Sequence, residues 1–183
     1  MSGEQWHEFL AWLSRISLRF EIVVFGRDCW GVEPVPPNVR VDVRGFAPTE
    51  KNVMDSLRSL DVDFGYVGIW SEPDMSLFAR TSFSSKTVTL AAAGLPLVVH
   101  APPDSPVAEM VRRYEAGVVC PLHAPAGSAD IRHIVSDGEY NTRCGANALR
   151  MCREQFDLAT NAQVLARELM RTAALAGCAT AIA

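Results

Sequence analysis

The chain is short of positive charge. Lysine and arginine number 17 against 21 acidic residues, for a formal net charge of −4 and a pI near 5.6. No basic stripe is present, so nucleic acid is not an expected partner. CxxC pairs are also missing. The five cysteines, Cys29, Cys120, Cys144, Cys152 and Cys178, are odd in number and scattered. That pattern builds neither a disulfide frame nor a zinc site, and the thiols read as reduced core residues of a cytoplasmic protein. The four histidines, His7, His100, His123 and His133, contain no pair at ligand spacing, so no metal is expected. The sequence has no apolar run long enough to span a bilayer, no signal-peptide pattern, no internal repeat and no low-complexity linker. The tail over 171–183 is small and apolar; it is expected to pack on a neighbouring surface or to remain disordered.

What is present is an ordinary globular composition. The 183 residues are 49% hydrophobic and 21% charged, enough for one domain with a full core. Trp6, Phe9, Leu10, Leu13 and Ile16 recur at helical spacing, which predicts an opening helix. "FEIVVFG" follows as a buried strand ending at Gly26. After a loop rich in Pro and Gly, "VRVDVR" alternates strictly and predicts a half-exposed strand near a sheet edge. Thr49 is the expected cap of the next helix. "VDFGYVGI", "LPLVVH" and "VVCPL" are three further strands. Residues 70–80 read as an irregular loop. Ser105 and Pro106 open another helix, with Gly117 as its stop, and the remainder is helical with breaks near Gly138 and Asp157. Helices and apolar strands alternating at this spacing predict an α/β fold. We expect a Rossmann-like three-layer domain spanning 1–183, with a mainly parallel sheet of about five or six strands and helices on both faces. Ligands of such sheets bind beyond the carboxyl ends of the strands.

The stretch "TSFSSKTVTLAAAGLPLVVH", Thr81 to His100, carries the most chemistry. Ser84 or Ser85 can cap the helix ending near Ala93, and Gly94 is its expected C-cap. The first turn of that helix leaves backbone N–H groups without partners and favours an anion. Lys86 stands at the same end, where a cation is unfavourable unless something negative arrives. Residue types alone leave two readings open, a phosphate pocket or a solvated lysine beside a simple cap. The alanines before Gly94 suit close helix–sheet packing. Elsewhere, His100 closes a strand on the ligand side and reads as a structural histidine that could reach a sugar. Trp70 and Phe78 could stack on a base or pin their loop. Glu72 and Asp74 read as solvated, with sugar hydroxyls as the alternative.

"SFSSKTVTLAAAGLPLVVHAPPDSPVAEMVRRYEAGVVC" resembles the donor-binding half of the group 1 glycosyltransferases of GT-B fold. The resemblance extends from about Glu4 to Leu169 and rests on the Ser-x-Ser-Lys and Ala-Gly-x-Pro combination. It implies a retaining glycosyltransferase of polysaccharide biosynthesis, with a nucleotide-diphosphate sugar as donor and a glycan or lipid-linked acceptor. Ser84, Ser85 and Lys86 would lie by the diphosphate or sugar, and Gly45 and Phe46 near the base. Gly26 and Arg27 would end a strand on the ligand side, with Arg27 able to reach a phosphate. Arg44 is expected to face solvent. Thr81 and Thr89 stand where many members carry two glutamates, so the carboxylate that grips the ribose diol is missing. The family's carboxy-terminal half also begins one strand earlier, and its amino-terminal half has no counterpart here. The resemblance therefore implies an incomplete enzyme needing an amino-terminal domain or partner chain, with peripheral membrane association open for the whole enzyme. The alternative is a non-catalytic nucleotide-sugar binding or assembly module. A receiver-like domain is disfavoured because no acidic cluster follows the first strand. The apolar face of the opening helix and the alanine-rich tail would suit a missing neighbour, unless they belong to this domain's own core.

Overall fold

The computed structural model describes residues 3–26, 34–69, 76–124 and 126–180. In chain order the elements are α1 (Gly3–Ser14), β1 (Phe20–Val24), β2 (Val39–Val43), α2 (Glu50–Ser59), β3 (Gly65–Gly68), α3 (Ser76–Thr81), α4 (Ser85–Ala92), β4 (Leu97–His100), α5 (Pro106–Tyr114), β5 (Gly117–Cys120), α6 (Gly127–Ser136), α7 (Gly138–Gln155) and α8 (Leu158–Thr180). The fold is α/β and its described strands pair in parallel. They do not join into the single sheet of five or six strands that the sequence predicts. β1 and β2 form one sheet, and β3, β4 and β5 another in that order. The apolar pattern marks each strand, but it carries no information on which edges meet.

Two cores cover the two faces of the three-stranded sheet. On one face α1 and α6 pack through Phe9, Trp12, Leu13, Ile131 and Ile134 against Val98 and Cys120. On the other, α4, α5 and α7 contribute Ala91, Val107, Val111, Ala148 and Met151 against Leu97 and Val99. Alternate residues of β4 thus enter opposite cores, as strand geometry requires, and the whole strand is buried. Each large side chain fully removed from water here contributes about 1.5–3 kcal/mol. The α1–α6 core also reaches β1 and β2 through Phe20, Ile22, Val39 and Val41. The apolar face of α1 is therefore buried within this domain.

Local chemistry sets the element ends. Thr49 caps α2 by accepting from the Asn52 amide, Ser105 caps α5 through the Ala108 amide, and Asp137 caps α7 through the Tyr140 amide. Gly94, at φ +76°, closes α4: its N–H donates to Ala91 and that of Leu95 to Leu90, a Schellman pair. Gly117 is not the stop of α5. Glu115 takes the left-handed conformation (φ 53°), and Gly117 opens β5. A Cβ at Gly117 would lie 1.9 Å from the Leu97 carbonyl oxygen, so glycine is needed to let β5 approach β4.

One further expectation changes. The part of the 70–80 loop that is described holds α3, over Ser76–Thr81; Trp70, Glu72 and Asp74 lie outside the described residues. The tail is helical through Thr180 as part of α8, whose residues from Leu158 to Ala173 are exposed. No described helix is long and apolar enough to cross a membrane. Cys120, Cys144 and Cys152 are free thiols, the first two buried. Burial pushes the Cys120 thiol up to about 12, as befits an inert core residue.

Candidate functional site

β1 and the loop after β2 end side by side at the carboxyl rim. The Gly26 N–H donates to the Gly45 carbonyl at 2.8 Å, closing an isolated bridge beyond the β1–β2 ladder. Gly45 has φ +71° with nothing near a would-be Cβ, so its glycine is required by the turn rather than by crowding. Phe46 follows at the rim, 73% exposed. α4 starts at the same rim, and between the two lies a cavity of about 1250 Å³.

This cavity brings together much of what the sequence singles out. Gly26, Phe46, Ser85, Lys86 and Thr89 line it. Gly45 and Ser84 stand immediately beside lining residues without lining it themselves, and Arg27 lies outside the described residues. Arg44 is exposed, as expected; it also lines the cavity, with its Nε donating to Asp42 Oδ2 at 2.8 Å. Thr81 is elsewhere: it ends α3 and donates its hydroxyl to the Leu77 carbonyl at 2.7 Å.

The start of α4 is built differently from the other serine-led helix. Ser84 holds the N-cap position with an extended backbone, yet its hydroxyl makes no capping bond. The Thr87 amide is taken by the Ser84 carbonyl at 3.0 Å. The Ser84 hydroxyl and the first amides of the helix are thus left for water or a ligand. Lys86 is exposed, lines the cavity and makes no ion pair with any described residue. The helix dipole, the first amides and Lys86 all belong to this end of α4, which suits an anion.

Glu50 is the residue that sequence reasoning missed. It is the first residue of α2, it lines the cavity, and its Oε1 accepts from Thr89 Oγ1 at 2.8 Å. A carboxylate therefore stands beside Thr89, the threonine at which the resemblance implies a glutamate. The pair is 39 residues apart in sequence. The only local signal was that Glu50 follows the Thr49 cap, where an acidic residue has an ordinary helix-dipole role.

His100 takes its structural role. It is fully buried, its Nδ1 lies 2.9 Å from the Tyr66 hydroxyl, and its ring packs on Trp12 at 4.5 Å. Burial, with a smaller push from His123, drives its pKa down to about 4 despite the Glu8 carboxylate 3.3 Å from Nε2. It therefore sits neutral at the carboxyl end of β4 and is not among the residues that line the cavity. Among the described residues no group of three acidic, histidine or cysteine side chains could hold a metal.

No family model, no curated protein and no solved structure matches this chain. Functional assignment rests on the geometry of the rim.

Proposed function

We propose that the chain is a Rossmann-like nucleotide-diphosphate-sugar-binding domain, the donor half of a glycosyltransferase that completes its active site with an amino-terminal domain or partner chain. The observation that carries this reading is the uncapped start of α4. Ser84, whose hydroxyl makes no capping bond, stands beside the cavity wall that Ser85 and Lys86 line, and Lys86 has no ion pair among the described residues. A diphosphate there would take charge-assisted hydrogen bonds from all three. Glu50, held by Thr89, can accept from sugar or ribose hydroxyls, and the aromatic Phe46 lines the same cavity. In transfer, the chain's own contribution is to stabilise charge growing on the leaving diphosphate. A cytoplasmic location accompanies this reading, because nucleotide sugars would be drawn from that pool.

The second reading is a nucleotide-sugar binding or assembly module without catalysis. Thr81 favours it: a position where the resemblance implies a carboxylate spends its hydroxyl on a backbone carbonyl outside the cavity.

Calorimetry with nucleoside diphosphates tests the site. Lys86→Ala is expected to weaken binding more than fivefold, about 1 kcal/mol, and the loss should shrink as salt rises. Equal affinity for both proteins would refute the assignment. Turnover of a nucleotide sugar after adding an amino-terminal domain would then decide between enzyme and module.

A further inference from the structure

The cavity is more than a rim pocket. Its lining runs continuously over residues 18–26 on one side and 60–66 on the other. Successive residues of a strand point to opposite faces, so a continuous run can line a space only along the strand's edge. The two edges are the free sides of β1 and β3. In the β1–β2 ladder the Phe20 amide and the Val24 carbonyl bond toward β2. Parity then turns the N–H and C=O of Glu21, Val23 and Phe25 the other way. In the β3–β4 ladder Gly65 and Ile69 donate toward β4, which turns Phe64, Tyr66 and Gly68 into the same space. The slot is roofed and floored by apolar side chains, Phe9 and Leu13 of α1 on one face, Val53 and Leu90 of α2 and α4 on the other. Those are the surroundings of an interior strand in a parallel sheet. At about 1250 Å³ it also exceeds ordinary small-ligand pockets, which hold about 300–1,000 Å³.

α1 adds an independent sign. Gln5 Nε2 donates to the carbonyls of Ile69 and His100, at the carboxyl ends of β3 and β4. At the other end of the helix, Asn38 Nδ2 donates to the carbonyls of Leu13, Ile16 and Leu18, beside the start of β1. α1 therefore runs antiparallel to the strands, as helices over a parallel sheet do, with Trp6, Phe9 and Leu13 laid along the slot.

We propose that a partner polypeptide inserts an apolar extended segment of five or six residues into this slot, parallel to β1 and β3. The two sheets then become one, in the order β2, β1, inserted strand, β3, β4, β5. Every described strand already has its ladder, so the inserted strand is additional to them. The undescribed internal stretches do not suit a strand buried on both faces: 27–33 carries Arg27, Asp28 and Glu33, and 70–75 carries Glu72, Pro73 and Asp74. Recognition is by main-chain hydrogen bonds to two edges, with Val, Ile and Leu on both faces of the guest.

The test uses the full chain and a synthetic peptide with the core Val-Ile-Val-Leu-Val-Ile between lysines. Amide hydrogen exchange read residue by residue should slow at least tenfold at Glu21, Val23, Phe25, Phe64, Tyr66 and Gly68 in a one-to-one complex. Saturation without protection at these amides would overturn the proposal. So would protection spread equally over the exposed face of α8, or a dimer of the free chain that refuses peptide. Val23→Pro removes an N–H that faces the slot and is unused by β2; it should weaken peptide binding at least tenfold with unchanged circular dichroism. If that variant unfolds, the exchange pattern of the unaltered chain decides. The inference does not depend on the donor site: Lys86→Ala should leave peptide protection intact, and a nucleoside diphosphate alone should not slow the slot amides.

Discussion

β1 and β4 are both short, apolar and parallel-paired, yet they end in different surroundings. Leu97, Val98, Val99 and His100 are all buried, whereas no residue of β1 is. β4 has a strand on each side and a helical layer on each face. β1 has β2 on one side and the cavity on the other. Hydrophobic sequence thus makes a strand available for burial, and only a second neighbour completes it. The closed half supplies rigidity to the molecule, and the open half supplies the space in which it can bind.

The comparison breaks first where the closed half is tightest. Gly117→Ala would drive a Cβ into the Leu97 backbone, which cannot swing aside as a side chain could. It is expected to cost at least about 4 kcal/mol in urea unfolding, or to abolish folding. A cost below about 1 kcal/mol would mean that β4 and β5 are not so closely joined.

His100 is the next largest. Its folded pKa lies below the unfolded value, so the unfolded chain binds the extra proton. Its contribution is present above about 6.5 and is lost as pH falls toward about 4, on the order of 3 kcal/mol in all. Urea midpoints measured across that window should fall with pH, and His100→Asn should flatten the slope. A slope unchanged by the substitution would place the titration elsewhere.

The smallest effects sharpen the contrast between two serine-led helices. Ser105 is buried and accepts from the Ala108 amide, so Ser105→Ala should cost about 1 kcal/mol. Ser84 caps nothing, so Ser84→Ala should cost less than about 0.5 kcal/mol while weakening nucleoside diphosphate binding. Equal costs at the two positions would return Ser84 to an ordinary capping role.

Much of the element order was legible because each signal is local. Thr49, Ser105 and Gly94 mark ends through bonds made within a few residues. The face of α1 was readable from its period, since Trp6, Phe9, Leu10, Leu13 and Ile16 are all buried. α3 was hidden in a stretch with no clear period. Gly117 was misread because a glycine after a helix has two uses, and the one that applies depends on Leu97, 20 residues earlier. The site was legible in part for the same reason. Ser85 and Lys86 are neighbours in sequence, whereas Glu50 joins Thr89 only across the fold.

The sequence by itself determined the α/β class, the helix faces, most caps and the cluster of Ser84, Ser85 and Lys86, all of which follow from spacing over a few residues. Tertiary structure alone decided that the strands fall into two sheets, that Glu50 supplies a carboxylate beside Thr89, and that two free edges share one cavity. Those depend on which backbones meet across long loops, and a parallel strand's partner is specified by packing rather than by its own side chains.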